Sequence, residues 1–136
     1  MEELLKDVDA KELELPETLF IWDMESRVFQ SIALESLARI EGISLLEGNF
    51  FDALLGRDVS ERLKGIHVEQ EQKKHSVNVK IEVNVSYGVC LPEKAEEIQT
   101  KIAKDISRLT GMHVGCVHVI FKNVVSAAAQ PLTLIE

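Results

Sequence analysis

The feature that most constrains this sequence is the run 76–87, in which polar and apolar side chains alternate strictly. Side chains of a β-strand point to opposite faces in turn, so sustained alternation predicts a strand with one buried and one solvated face. Ile66 and Val68 begin a second, shorter alternation, and polar residues separate it from the long run. The two strands should therefore pair as an antiparallel hairpin.

A helix and a further strand follow the hairpin. Pro92 lies where a helix can begin, because the missing N–H of proline has no partner in the first turn, and Gly111 can end the helix. The strand predicted over residues 114–125 is apolar on both faces, which indicates either a central strand or an edge covered by something else. Strand–helix–strand units cross over right-handed, so this strand should run parallel to the long one in the same sheet.

An earlier helix is predicted between Asp23, which can cap its N-terminus, and Gly42. Its apolar stripe consists of Val28, Phe29, Ile32, Ala33, Leu37 and Ile40. The apolar run Leu19–Trp22, which precedes this helix, is interpreted as a strand or a staple onto the core. The expected fold is a two-layer α+β sandwich, with a mixed β-sheet and two main helices on one face.

The formal net charge of −8 is unevenly distributed. Residues 1–25 hold nine acidic and two basic side chains, whereas residues 26–136 hold fourteen acidic and thirteen basic ones. Nucleic-acid binding normally uses a net basic surface, which neither part supplies, so nucleic acid is not the expected partner. We expect an acidic, flexible arm over residues 1–18, a single domain over 19–125 and a C-terminal tail over 126–136.

The composition predicts a cytoplasmic protein. No stretch approaches the roughly 18 apolar residues of a transmembrane helix. The acidic start lacks the basic and apolar regions of a secretory signal. The two cysteines, Cys90 and Cys116, do not make a disulfide framework.

The sequence offers no catalytic, cofactor or metal site. Cys116 and His118 are two residues apart and should share one face of a strand, but the pair lacks the further ligands of a zinc site and the base and oxyanion donors of a nucleophilic one. No phosphate-binding or dinucleotide-binding glycine motif is present. We therefore expect a protein that is not an enzyme.

One candidate partner surface is an apolar cluster in the middle of the chain, consisting of Phe50, Phe51, Leu54 and Leu55. These side chains either roof the core, as most large apolar residues do, or form an exposed patch that a partner covers.

The other candidate is a polar, basic face consisting of Lys73, Lys74 and Lys80. A solvated hairpin tip is the simpler interpretation because lysines are mostly exposed. Contact with nucleic acid or phosphate is the alternative.

Several motifs occur in a fixed order over residues 19–124. A Glu-Gly-Ile follows the first helix and a Lys-Gly-Ile precedes the hairpin. The long strand ends in Tyr-Gly-x-x-x-Pro, and an Ile-Gln pair, a Thr-Gly pair and a valine-rich strand follow. This order resembles the alkaline shock protein family, also called the envelope stress response or general stress family. The matching positions after the hairpin are Tyr87, Gly88, Pro92, Ile98, Gln99, Thr110, Gly111, Val114, Val117 and Val119.

The resemblance implies a small, non-enzymatic cytosolic protein without catalytic residues or a cofactor, of a kind that a separate anchor protein can hold near the membrane. The function that we expect is an interaction or scaffold protein that binds a protein partner or self-associates. An RNA-binding module is the alternative, because the order of elements is similar to that of KH folds, although the GxxG clamp of those folds is absent.

Overall fold

The computed structural model describes residues 17–46 and 65–126 of the chain. In chain order its elements are helix α1 (Ser26–Ala38), strands β1 (Ile43–Ser44) and β2 (Ile66–Glu71), a 3-10 turn (Gln72–Lys74), strand β3 (Ser76–Ser86), helix α2 (Leu91–Thr110) and strand β4 (His113–Val125). The predicted arm and tail lie almost entirely outside the described residues.

Strand β3 lies at the centre of the sheet. β4 pairs with it in parallel along its whole length, while β2 and β1 pair antiparallel with its first and last parts. Because β4 occupies one side of β3 throughout, β1 and β2 share the other side. The hairpin and the parallel strand after the crossover helix are therefore confirmed, and the sheet is mixed.

The core lies between one face of this sheet and the two helices. Alternate side chains of β3 are buried, as the period-two pattern predicts, and they pack against both helices. The fully or almost fully buried apolar side chains of β3, α1 and α2 in this core are Val77, Val79, Ile81, Val83, Phe29, Ala33, Leu37, Ile98, Ile102 and Ile106. The predicted α+β class, with two helices on one face, is confirmed.

The helix ends differ from the prediction in detail. α1 begins at Ser26, with Glu25 in extended conformation before it and no side-chain hydrogen bond to the first turn, so the assignment of Asp23 as the cap was wrong. Pro92 is the second residue of α2 rather than the first, and there too its missing N–H needs no partner. Gly111 ends α2 with φ of 77°, which glycine adopts without a Cβ penalty.

Among the described residues β4 is an edge strand, because it pairs there with β3 alone. These residues do not make it a central strand, and the alternative of a covered edge stays a prediction. Two irregularities interrupt its pairing with β3, where Gly115 and Lys122 are extra residues on the β4 side. No helix among the described residues is long and apolar enough to cross a membrane.

Gly65, at the entry to β2, is expected to be required for packing. A Cβ at this position would lie 2.9 Å from the carbonyl oxygen of Glu82, and Glu82 N–H already donates to Gly65 O at 2.8 Å. We expect Gly65→Ala to lower the free energy of unfolding by about 1–3 kcal/mol, as overpacking does, in urea denaturation followed by circular dichroism.

The matched control for Gly65→Ala is Gly115→Ala. A Cβ at Gly115 would lie 2.8 Å from Asn78 Oδ1, which belongs to a side chain that can rotate away. Gly115→Ala should therefore cost less than Gly65→Ala, and equal losses would contradict the argument from the Glu82 backbone.

Candidate interaction surface

The largest exposed apolar feature in the part of the chain that the structure describes is the run Leu19–Trp22, here called the apolar segment. Its four side chains are 72–80 % exposed and it forms no strand with the other described residues, so the interpretation as a strand or a staple onto the core was wrong. Single exposed apolar residues are common, but contiguous large ones are typical of interaction sites. The sequence carried one signal of this exposure, since acidic residues flank the run on both sides.

Two glutamine side chains fix the place where the apolar segment leaves the fold. Gln70 Nε2, on β2, donates to Met24 O at 3.1 Å and lies 3.2 Å from Ser26 Oγ. Gln30 Nε2, on α1, donates to Ile66 O at 2.7 Å. These hydrogen bonds hold the start of α1 against β2, and the apolar segment therefore lies on the β2 side of the sheet.

The opposite side of the sheet is the outer edge of β4. Gln99 Nε2, on α2, donates to Val117 O at 3.1 Å, so this carbonyl points away from β3. Backbone groups of successive strand residues point to opposite sides, and Val119 and Phe121 therefore also direct their N–H and C=O outward. Beyond the irregularity at Lys122, Tyr87 N–H donates to Val125 O at 2.8 Å.

The bond from Tyr87 shows that the backbone groups of Val125 face β3, so the backbone groups of Val124 face outward. We use the term β4 edge for the outward backbone groups of Val119, Phe121 and Val124. Exposed edges with unpaired N–H and C=O groups are templates for pairing with another strand. Among the described residues, the side chain of Gln99 is the one group shown bonded to the outward side of β4, and it lies at Val117, before the β4 edge begins.

The face of the sheet away from the helices is polar. His67, Lys80 and His118 form one row across β2, β3 and β4, since Lys80 is paired with both histidines. Cys116 and His118 share this face, as predicted, and Cys116 is exposed. Within the described residues no three His, Cys, Asp or Glu side chains are grouped closely enough to hold a metal ion.

The structure does not bring the three predicted basic residues together. Lys73 and Lys74 lie in the 3-10 turn at the hairpin tip, whereas Lys80 lies four residues into β3, about 13 Å further along the strand. Acidic side chains lie among the basic ones. Glu71 Oε1 is 3.6 Å from Lys74 Nζ, and Glu82 Oε2 is 3.9 Å from His67 Nε2. These residues do not form a continuous basic surface.

The predicted apolar cluster at Phe50, Phe51, Leu54 and Leu55 lies outside the described residues. Its role as a partner surface stays a prediction.

The two helices are joined by a buried carboxylate. Asp105, on α2, accepts a hydrogen bond from the Ser36 hydroxyl of α1 at 2.6 Å, and its oxygens lie 3.2 Å from Lys101 Nζ and 3.6 Å from the Arg108 guanidinium. Burial raises the pKa of Asp105, but the hydrogen bonds from Ser36 and Lys101 and the charges of Lys101 and Arg108 together lower it below its ordinary value of 3.8. The groups that contact Asp105 are side chains of the two helices. This is the arrangement of a structural ion pair.

The comparison with protein families decides the classification. The sequence model of the Asp23 family, described as having a cell envelope-related function, matches residues 14–126. The chain belongs to this family. The family name is unrelated to the residue Asp23 of this chain. The match confirms the resemblance to the alkaline shock proteins, and its range includes the apolar segment and β4. No curated protein and no solved structure matches the chain significantly.

Proposed function

We propose that this member of the Asp23 family is an interaction or scaffold protein in a cell envelope-related process, and that it acts by binding a protein partner or itself rather than by catalysis. The observation that carries the proposal is the exposure of the apolar segment. The family is not known for enzymatic activity, which agrees with this role.

The size of the apolar segment supports binding to a macromolecule. An aromatic side chain buries about 150–250 Å², and Phe20 and Trp22 are 72 % and 73 % exposed. These two side chains alone therefore offer roughly 200–350 Å², to which Leu19 and Ile21 add. A specific interface buries about 800 Å² on each partner. The apolar segment can therefore supply a large part of one side of an interface between macromolecules.

A cytoplasmic location is part of the proposal, supported by the family resemblance and by Cys90 and Cys116, which are both free thiols. The RNA-binding alternative has less support, because Lys73 and Lys74 are separated from Lys80 and acidic groups lie beside them.

The proposal is tested with full-length protein immobilised as bait for native cell extract. We expect wild-type protein to capture one or more proteins, a second copy included, and the variant Phe20→Ser with Trp22→Ser to lose them. The matched control is Leu109→Ser, which removes a large apolar side chain that is 59 % exposed on α2 and should leave capture unchanged. Undiminished capture by the folded double variant would refute the role of the apolar segment.

A further inference from the structure

The apolar segment and the β4 edge are complementary features of the same chain. The apolar segment does not pack onto the core, and the β4 edge directs its backbone groups outward. Hydrogen bonds place the former on the β2 side of the sheet and the latter at the opposite side. A donor and an acceptor on opposite sides of one sheet can meet only between different copies of the chain.

The side chains of β4 are apolar on both faces of the sheet. Val117, Val119 and Phe121 are half-buried against the helices, and Ile120, on the polar face, is also half-buried. An apolar strand at an open edge of a sheet is a template for pairing with another chain. β4 has a neighbour on one side only within the described residues.

Charge favours a protein acceptor over a lipid or nucleic-acid one. Glu17, Asp23 and Glu25 flank the apolar segment, and anionic side chains are repelled by an anionic membrane surface or a phosphate backbone. The β4 edge instead has the exposed Lys122 beside it, so the flanking acids meet an opposite charge there.

We propose that the apolar segment of one copy adds as a further strand to the β4 edge of a second copy. This inference rests on the proposed function and names the partner of the same segment. Because donor and acceptor differ, the contact is heterologous, and repeating it generates rings or open chains of copies rather than a two-fold dimer that closes on itself.

The test uses purified full-length protein in sedimentation velocity experiments over a wide range of concentrations. We expect wild-type protein to form a series of multimers that extends beyond the dimer as concentration rises. The donor-defective variant, Phe20→Ser with Trp22→Ser, should remain monomeric.

The acceptor-defective variant is Val124→Pro. It removes an N–H that points away from β3, and the Val124 side chain is 57 % exposed, so neither the β3 ladder nor the core should be lost. Val124→Lys, which discourages pairing by a charge at the edge, is the second variant in case proline prevents folding. Each acceptor-defective variant should be monomeric alone.

The decisive measurement mixes the two kinds of variant. The donor-defective copy keeps an intact edge and the acceptor-defective copy keeps an intact apolar segment, so the mixture should form a one-to-one dimer that cannot grow. A mixture that stays monomeric overturns the proposal, as does a donor-defective variant that still self-associates, which would indicate pairing of two β4 edges.

Wild-type protein that is monomeric at every concentration also overturns this inference. If extract capture still depends on Phe20 and Trp22 in that case, the partner is a different protein and the proposed function stands. If capture is independent of them as well, both proposals fail. Binding of the monomer to vesicles of neutral lipid through the same residues would assign the apolar segment to a membrane surface instead.

Discussion

Phe29→Ala is expected to lower the free energy of unfolding by about 3–5 kcal/mol, the range for removing a buried aromatic side chain. The Phe29 side chain is 0 % exposed and packs in the core between the helices and the sheet. Its removal loses apolar burial and leaves a cavity that the surrounding strands cannot fill. Urea denaturation followed by circular dichroism measures the loss.

The control for this variant is the preceding residue. Val28 belongs to the same predicted stripe, yet it is 41 % exposed, so Val28→Ala should change the free energy of unfolding by no more than about 0.5 kcal/mol, as surface substitutions do. A comparable loss at both positions would mean that the face of α1 toward the core is assigned wrongly.

The second large effect concerns pH and Asp105. Because the pKa of Asp105 is lowered in the folded protein, its interactions stabilise the fold above the ordinary value of 3.8 and are lost as pH falls through the folded pKa. Near neutral pH, Asp105→Asn should lower the free energy of unfolding by about 1.5–3 kcal/mol, the range for hydrogen bonds to a charged group. The difference between variant and wild type should shrink below the folded pKa.

Ser36→Ala provides an independent check of this assignment. The Ser36 hydroxyl is one of the groups that lower the pKa of Asp105, so its removal should raise that pKa toward 3.8. The acid-induced loss of stability should then be smaller and be complete at a higher pH than in the wild type. Stability curves of wild type and Asp105→Asn that run parallel from neutral to acid pH would show that Asp105 does not contribute in this way.

The sheet was largely predictable because its main signal is local. The alternation from Ser76 onward depends only on successive side chains of one strand, and it correctly predicted both the buried face of β3 and the hairpin with β2. Pro92 and Gly111 likewise predicted where the helix between the two parallel strands begins and ends, to within one residue.

The parts that were mispredicted depend on what lies beside an element, which a local pattern does not encode. The apolar side chains on both faces of β4 did not distinguish a central strand from a covered edge, and within the described residues β4 is an edge strand. Leu19–Trp22 is as apolar as a core segment, although its neighbours in the fold do not cover it. Helical spacing placed Val28 with Phe29, and only the packing of α1 against the sheet distinguishes them.

The candidate site was predicted less well than the fold. Basic residues that are close in sequence, such as Lys74 and Lys80, are separated when a strand carries one of them away from the turn. The exposure of the apolar segment followed from tertiary packing, and the acidic residues on both sides of it were its one local sign.

The central position of β3 limits where this chain can change length. A single inserted residue within β3 would turn every following side chain to the opposite face, moving Ile81 or Val83 into water and disturbing pairings with three strands at once. The 3-10 turn before β3 has no such constraint. Its residues are exposed, and they lie between Glu71 and Ser76, the last paired residues of the hairpin. Length variation among relatives should therefore occur at that turn and be absent from β3.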